Sequence, residues 1–388
     1  MSLGASDPTH DLEVVRPDYG GAWIGGVLPA LLAGHAPRGL PTWVARARQV
    51  VVLLVDGLGW RMRQRFAALL PALDGFEGGS ITSVVPSTTA AALPSLTTGR
   101  TPGEHGVLGD RMRVGGATLN VLQWTASAQT PPDPATVQPH PPFGGQAVTV
   151  VSNAKFEGSG FSRAHLRGCR FLGYEGSDAL ADRVAGAVAE RAPLVFAYLP
   201  DADRTAHEHG LDDDAFAAAL TTVDRAVRDL VRLLPADGAL VVTADHGHVT
   251  VDHAQRVDLA PLSPLLADMA GSGRLRYLHA RAGAVRDLLA CARALVGDHA
   301  WVLTRDELVA TGWLGPTPNP LVAGRLGDVN LVARRAATMV DPSEGRLNAL
   351  VTVHGSITAD EMLVPLLVAR GQGARRSTRQ SPPGASRR

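Results

Sequence analysis

The chain has almost none of the residues that build a disulfide framework, since Cys169 and Cys291 are its only cysteines among 388 residues. This scarcity excludes the disulfide-rich secreted class and leads us to expect a reducing, cytoplasmic location. The sequence also lacks any apolar run close to the roughly 20 residues that a transmembrane helix needs. Its first fifteen residues carry early acidic groups and no continuous apolar segment. We therefore expect neither a membrane span nor a secretory signal.

The charge of the chain is balanced overall but unevenly distributed. Thirty-seven Lys and Arg residues match 37 Asp and Glu residues, yet segment 370–388 holds six arginines and no acidic residue. The remainder has 31 basic and 37 acidic residues, a net charge of about −6. Because Gly, Ser, Pro and Gln separate those arginines, we interpret 370–388 as a disordered basic tail. A negative body without a basic, aromatic-rich stripe predicts no nucleic-acid partner.

Apolar runs alternate with helical patterns along the first two thirds of the chain. Continuous aliphatic runs occupy Gln49–Val55, Ala147–Val151, Pro193–Leu199 and Ala239–Thr243, as is typical of strands buried on both faces of a parallel sheet. Apolar residues recur at three- and four-residue steps over Leu211–Leu234, which predicts a long amphipathic helix. The alternation predicts an α/β fold with a mostly parallel central sheet and helices on both faces.

The last third of the chain has a different composition. Residues 253–345 contain Pro-rich and Arg-rich segments, with amphipathic helices expected near Ala282–Leu295 and Thr304–Thr311 and a strand at Asp328–Ala333. We therefore expect this stretch to form a smaller inserted α+β cap. The predicted organisation is a core made of 1–252 and 346–369, the cap, and the tail.

Small and hydroxylated residues crowd the first half of the segment Val84–Gly109, VVPSTTAAALPSLTTGRTPGEHGVLG, ahead of a helix-compatible run. The start of a helix offers free backbone N–H groups and the positive end of the helix dipole, which together attract anions. A hydroxyl of Ser87, Thr88 or Thr89 at that point is a candidate nucleophile towards phosphate, provided that its pKa is lowered.

Potential metal ligands follow successive predicted strands, and in a parallel sheet ligands bind at the carboxyl ends of the strands. These side chains are Asp56, Asp203, His207, Asp245, His246 and, later in the chain, His354. Asp and His together suit zinc or another borderline divalent metal. With the hydroxyl of Thr89 they would divide into two sites, and two metal ions about 4 Å apart can clamp both oxygens of an in-line displacement at phosphorus. A metal-bound hydroxyl also loses its proton more readily.

As an ordered set spread over residues from about 50 to 365, these motifs resemble the alkaline phosphatase superfamily, most closely its nucleotide pyrophosphatase/phosphodiesterase branch. The resemblance implies a two-zinc hydrolase of phosphodiester or nucleotide pyrophosphate bonds. It would act on a phosphate-ester or nucleotide small molecule through a covalent threonine intermediate. In that branch the nucleophile lies three residues after a Pro and ten before the Gly of a Thr-Gly pair, which implies Thr89, with Thr88 as the adjacent alternative. The resemblance implies the zinc ligands Asp56, Thr89, Asp245 and His246 at one site and Asp203, His207 and His354 at the other.

One position departs from the branch. An Asn that binds the phosphate oxygens usually follows the His-Gly of the nucleophile segment, but Asp110 stands at the matching place, where a carboxylate would repel phosphate. Asn120 and Asn153 are candidate substrate-binding substitutes, although a turn or strand-edge role is the favoured interpretation of each.

Two other interpretations stay open at this stage. The same metals could serve a phosphomonoesterase or a phosphonate hydrolase, although a monoesterase would favour a Ser nucleophile and a dedicated Arg clamp. A metal-stabilised binding protein without turnover is less favoured, because all seven expected positions carry competent residues. Three further histidines near the motifs, His105, His209 and His248, are expected to have supporting or structural roles.

Overall fold

A computed structural model describes residues 13–127, 129–316 and 318–373. The strands are β1 Val50–Val55, β2 Glu77–Thr82, β3 Arg111–Val114, β4 Ala117–Asn120, β5 Thr125–Ala126, β6 Thr149–Asn153, β7 Arg170–Tyr174, β8 Leu194–Leu199, β9 Ala239–Thr243, β10 Val249–Thr250, β11 Arg256–Asp258, β12 Leu266–Ser272, β13 Leu275–Ala280, β14 Ala300–Thr304, β15 Val329–Ala333, β16 Thr338–Val340, β17 Thr352–Val353 and β18 Leu363–Arg370. The α-helices are α1 Val27–Leu32, α2 Trp60–Arg65, α3 Thr89–Thr98, α4 Pro102–His105, α5 Pro134–Val137, α6 Gly160–Leu166, α7 Leu180–Ala189, α8 Asp201–His209, α9 Asp214–Leu233, α10 Val285–Val296, α11 Arg305–Ala310, α12 Pro320–Ala323 and α13 Ala359–Met362.

The central sheet has the order β2-β18-β9-β1-β8-β6-β7. Strands β9, β1, β8, β6 and β7 are parallel, and β18 is antiparallel to both of its neighbours. Every residue of β1 and β9 is buried, because the aliphatic runs that form them are covered on both faces. This mostly parallel sheet flanked by helices confirms the predicted α/β fold.

Strand β18 was not anticipated, because Pro365 interrupts its apolar run and a proline cannot donate to a strand ladder. In the structure the pairing of β18 with β9 begins one residue later, at Leu366. Pro365 has no N–H, but it does not pair with β9, so no hydrogen bond between β18 and β9 is lost. Strand β18 can therefore lie inside the sheet.

A second, four-stranded antiparallel sheet has the order β12-β13-β15-β14. Helix α10 packs on this sheet, and Leu278, Leu288 and Val329 belong to a buried apolar cluster separate from the main core. Tyr277 of β13 faces the other way and donates a hydrogen bond to the carbonyl of Leu108, 2.9 Å away. We propose on this basis that 253–345 is an inserted cap that rests on the core near the nucleophile segment.

The start of the predicted tail belongs to the fold. Arg370 is the last residue of β18, and its guanidinium lies 4.0 Å from the centre of the Trp43 ring. The N–H groups of Gly371 and Gln372 donate to the carbonyls of Gly238 and Val231. The remainder of the predicted tail, 374–388, lies outside the described residues. Among the helices that are described, none is long and apolar enough to cross a membrane.

Candidate active site

The seven side chains singled out from the sequence converge at one edge of the central sheet. Asp56 follows β1, and Asp245 and His246 follow β9, its parallel neighbour. Asp203 and His207 lie one turn apart on α8, which starts directly after β8. Thr89 is the first residue of α3, and His354 directly follows β17. The complete group is Asp56, Thr89, Asp203, His207, Asp245, His246 and His354.

The first group of donor atoms surrounds the hydroxyl of Thr89. Its Oγ1 lies 3.3 Å from Asp56 Oδ1 and 3.1 Å from His246 Nε2. The same His246 nitrogen lies 3.4 Å from Asp56 Oδ1 and 3.5 Å from Asp245 Oδ2. The side chains of Asp56, Thr89, Asp245 and His246 are all buried. The ligand atoms of Asp56, Asp245 and His246 lie within 4.8 Å of one another.

The second group of donor atoms is centred on Asp203. Its Oδ1 lies 3.3 Å from His207 Nε2 and 3.8 Å from His354 Nε2, and the two histidine nitrogens are 3.1 Å apart. The two groups are adjacent, since Asp203 Oδ1 lies 3.9 Å from His246 Nε2.

These spacings fit divalent metal ions. Zinc binds His nitrogen and carboxylate oxygen at about 2.0–2.2 Å, so two ligand atoms of a tetrahedral site lie about 3.3 Å apart. Most of the distances within each group are close to this value. Asp203 Oδ1 and Asp245 Oδ2 are also buried atoms without a hydrogen-bond partner among the described residues, as expected of oxygens aimed at a cation.

The histidines present the nitrogen that a metal requires. The Nδ1–H of His207 donates to the carbonyl of Thr352 at 2.6 Å, and that of His354 donates to the carbonyl of Ser87 at 2.9 Å. His246 contacts the carbonyl of the next residue in the same way, at 3.1 Å. Because a carbonyl only accepts, these contacts fix the proton on Nδ1 and leave the Nε2 lone pair of the neutral ring free.

The carboxylates of Asp56, Asp203 and Asp245 are close together and need a positive charge beside them. Burial, and after it the Asp245 and Asp203 carboxylates, raise the pKa of Asp56 well above its ordinary value. Burial would also raise the pKa of Asp203, but the adjacent His207 and His248 hold it well below its ordinary value. Carboxylates this close repel one another in a low-dielectric interior unless a cation neutralises them.

Neighbouring groups hold the carboxylates of the candidate metal site in place. The hydroxyl of Tyr198, on β8, donates to Asp56 Oδ2, and the N–H of Gly57 donates to Asp245 Oδ1 at 3.1 Å. Supporting contacts of this kind orient metal ligands. Tyr198 was missed from the sequence because it lies within the apolar strand run PLVFAYL, where nothing distinguishes it from a core residue.

The nucleophile segment is anchored by the segment that carries His354. The hydroxyl of Ser87 donates to the carbonyl of Ser356 at 2.7 Å, so it is engaged in structure. Thr88 Oγ1 is buried without a partner among the described residues and belongs to the residue before the helix. Thr89 is the first residue of α3, where free N–H groups and the helix dipole favour an anion, and it alone of the three lines the cavity described next.

A cavity of about 560 Å³ opens over the two groups. Thr89, Asp203 and His354 lie on one side of it, and Arg111 and Glu344 are among its other lining residues. Its volume is in the range of small-molecule sites, roughly 300–1,000 Å³. A small molecule bound in this cavity would lie beside Thr89.

Asp110 and its two candidate substitutes are differently placed. Asp110 lines the cavity, and burial raises its pKa to about 6. Asn120 also lines the cavity, with its Oδ1 accepting from the N–H of Gln123. The Asn153 side chain instead caps a 3₁₀ turn by accepting from the N–H of Lys155, and it is not among the described residues that line the cavity.

The three additional histidines also differ. His105 is buried against Ser95, with 2.9 Å between Nε2 and Oγ, which is a structural contact. His209, at the end of α8, is half exposed. His248 lies beside the candidate metal ligands, 3.2 Å from Asp203 Oδ1.

A buried ion pair near the site was also missed. Arg274 and Glu361 are fully buried and form two hydrogen bonds of 3.0 and 2.7 Å. Glu361 also accepts from the N–H of Ser356 and the hydroxyl of Thr358, just after His354. Sequence pattern alone gave no signal for this pair, because its members are 87 residues apart.

Comparisons with known proteins identify the family of the chain. The family model for type I phosphodiesterase/nucleotide pyrophosphatase matches residues 50–357. No curated protein sequence matches the chain.

Several solved structures share the fold. Murine ectonucleotide pyrophosphatase/phosphodiesterase 5 is 16% identical, with a TM-score of 0.65 over 84% of this chain and 90% of that one. An inactive threonine-to-alanine variant of it, in complex with AMP, is 15% identical, with a TM-score of 0.64 over 84% and 88%. Phosphonoacetate hydrolase from Sinorhizobium meliloti 1021, in complex with phosphonoformate, is 19% identical, with a TM-score of 0.62 over 85% and 91%. The chain belongs to the type I phosphodiesterase/nucleotide pyrophosphatase family of phosphoester hydrolases, within the alkaline phosphatase superfamily.

Proposed function

We propose that the protein hydrolyses phosphodiester or nucleotide pyrophosphate bonds through a covalent intermediate on Thr89, at a site that holds two zinc ions. The observation that carries the proposal is the position of Thr89 Oγ1. This hydroxyl lies at the start of a ten-residue helix, within 3.3 Å of both Asp56 and His246, and lines the cavity. A hydroxyl among metal-ligating groups and open to a substrate is suited to attack phosphorus.

Each residue has a definite part in this chemistry. The bound ions would lower the pKa of the Thr89 hydroxyl and of the hydrolytic water and would neutralise charge on the phosphoryl oxygens. Asp56, Asp245 and His246 would hold one ion beside Thr89, and Asp203, His207 and His354 would hold the other. The Thr89 oxygen forms a bond to phosphorus as the bond to the leaving group breaks, and the hydroxyl proton passes to solvent. The backbone N–H of Thr89, at the first turn of α3, is positioned to donate to a phosphoryl oxygen.

In the second step a water molecule attacks the phosphorus of the threonine ester. The bond from phosphorus to Thr89 Oγ1 breaks, the hydroxyl regains a proton, and the phosphate product leaves. The first step releases the group originally esterified to phosphorus, and the second releases the remaining phosphate monoester. Both steps use the same cavity, so no residue has to move between separate sites.

A nucleotide-like substrate is supported by two observations. The cavity volume of about 560 Å³ suits a nucleoside phosphate. A structure that shares the fold binds AMP, which is the product that a pyrophosphatase of this kind would release from an adenylyl ester.

The substrate class is tested by comparing rates on bis-(p-nitrophenyl) phosphate and p-nitrophenyl phosphate at equal enzyme and zinc concentrations. The proposal predicts a clear preference for the diester. A clear preference for the monoester would reject it. Exhaustive chelation should abolish both rates and lower the thermal midpoint, because metal binding stabilises the folded state.

Phosphonate hydrolysis is the second candidate, because phosphonoacetate hydrolase shares the fold at similar coverage. A substrate with a carboxylate would need a cationic partner, and Arg111, whose guanidinium is paired with Glu344, lines the same cavity as Thr89. Release of inorganic phosphate from phosphonoacetate, faster than turnover of the diester, would favour this candidate.

A further inference from the structure

His248 has the features of a metal-binding residue, although its neighbour His246 is the one placed in the first group. Its side chain is fully buried, and its Nε2 lies 3.2 Å from Asp203 Oδ1. Neither of these two atoms has a hydrogen-bond partner among the described residues. The two atoms are buried side by side at the distance expected between two ligands of one ion.

The spacing supports a shared ion. The distance from Asp203 Oδ1 to His248 Nε2 is 3.2 Å, and the distance from the same oxygen to His207 Nε2 is 3.3 Å. Both match the roughly 3.3 Å between ligand atoms of tetrahedral zinc. Asp203, His207 and His248 also form a group whose ligand atoms all lie within 4.8 Å of one another.

One residue orients two of these rings. The carbonyl of Thr352 accepts from His207 Nδ1 at 2.6 Å, and the hydroxyl of Thr352 lies 3.1 Å from His248 Nδ1. Contacts at Nδ1 from one residue of β17 therefore direct the Nε2 atoms of both rings towards Asp203.

The backbone leaves room for this arrangement at Gly57. Its φ is +73°, and a Cβ atom there would lie 2.4 Å from His248 Nε2 and 3.0 Å from the Asp203 Cβ. A side chain at this position would displace the ring from the cluster. Gly57 therefore leaves space for the His248 ring, and it also adopts the positive φ that the turn after β1 requires.

We propose that His248 is a fourth protein ligand of the metal ion held by Asp203, His207 and His354. The inference rests on the proposed two-metal site, but it does not depend on Thr89 or on the substrate. Catalytic zinc sites usually have three protein ligands and keep one position for water. With His248 as a ligand, four side chains would hold this ion, which would bind it more firmly than a three-ligand site.

The protein loaded with cadmium-113 and labelled with ¹⁵N-histidine tests the proposal directly. Each ligating imidazole nitrogen shows a scalar coupling to cadmium, whereas a histidine that only hydrogen-bonds to a ligand does not. The expected coupled residues are His207, His246, His248 and His354. A spectrum in which His207 and His354 are coupled to cadmium and His248 is not would overturn the proposal, whereas the absence of all coupling would reject the metal site itself.

Two variants sharpen the result. His248→Gln should lose one coupled nitrogen, keep the others, and release one of its two ions to a chelator at a concentration at least about tenfold lower. His209→Gln is the matched control, because His209 is half exposed at the end of α8, and it should behave as the unaltered protein. If His248→Gln retains every coupled nitrogen, His248 is not a ligand. Failure of the Thr89 chemistry would leave these spectra unchanged, so the two proposals can fail separately.

Discussion

The Nε2 atoms of His207 and His354 lie 3.1 Å apart, although the Nδ1 hydrogen of each ring is already donated to a backbone carbonyl. Two neutral rings in this state would face each other with lone pairs, so a cation must lie between them. In the proposed metal-bound state, a metal ion fills this place. In the metal-free protein a proton takes it: burial lowers the pKa of His207, but the Asp203 carboxylate outweighs burial and raises that pKa to about 9.

Metal affinity should therefore depend on pH between about 6 and 9. The ion binds only when His207 has lost its proton, so the affinity for zinc at the second site should fall by up to tenfold for each unit of pH below about 9. Titration calorimetry in buffers of different ionisation enthalpy should also show proton release at pH 7.5. An affinity that is constant from pH 7 to 9 would contradict a protonated His207 in the metal-free state.

The same shift affects the stability of the metal-free protein. The folded-state pKa of His207 is raised from 6.5 to about 9, so its contribution to stability is full below about pH 6.5 and is lost as the pH rises through about 9. Metal-free protein should thus lose stability between pH 7 and 10, and a saturating zinc concentration should remove this loss.

Asp110 should weaken the binding of phosphate groups. Burial raises its pKa to about 6, so at pH 8 the carboxylate is charged and faces the cavity that must receive a phosphate. Asp110→Asn removes this charge and supplies an N–H donor, and it should lower the dissociation constant of AMP about tenfold at pH 8. Calorimetry measures this constant, with Asp213→Asn on the surface as the control. Equal or weaker binding by Asp110→Asn would show that Asp110 does not oppose the phosphate.

The buried pair of Arg274 and Glu361 should be important for stability. Removing one partner leaves the other charge buried and unpaired, so Glu361→Ala should lower the free energy of unfolding by about 3–5 kcal/mol. The double variant Arg274→Met/Glu361→Met leaves no such charge and should recover much of this loss. Urea unfolding of the zinc-loaded protein provides the values. A loss below about 1 kcal/mol in Glu361→Ala would contradict this role.

The pair should also respond to acid. Burial would raise the pKa of Glu361, but Arg274 and the hydrogen bonds around the carboxylate hold it below its ordinary value. Its contribution to stability is therefore present above about pH 4.5 and is lost as the pH falls below that.

The central strands could be predicted from the sequence because each is a continuous aliphatic run. Val50–Val55 and Ala239–Thr243 are buried on both faces. A strand buried in this way is apolar at every position, so it can be recognised without knowing which strands pair with it. The carboxyl ends of parallel strands share one edge, so the polar residues that follow them could be expected to meet. The convergence of Asp56, Asp203 and Asp245 follows from that rule.

Contacts between distant segments could not be predicted in the same way. Tyr198 reaches Asp56 from inside an apolar strand, and Glu361 of α13 pairs with Arg274, which lies between β12 and β13. Neither residue type nor periodicity distinguishes these side chains from neighbours that only pack. His248 was expected to support the site, because a histidine before a short strand has no distinctive spacing, and only its distance from Asp203 reveals its relation to the metal ligands.

The covalent role of Thr89 can be measured most directly by trapping the intermediate. Zinc-loaded enzyme is mixed with bis-(p-nitrophenyl) phosphate, quenched in acid within the first turnover, digested and analysed by mass spectrometry. The expected result is a p-nitrophenyl phosphate group on Thr89. Thr89→Ala should lack this group and lose almost all activity, but it should keep the zinc ion of the second site. Thr88→Val should keep its activity. Turnover by Thr89→Ala at the rate of the unaltered enzyme, or an adduct on Thr88, would contradict the assignment of Thr89 as the nucleophile.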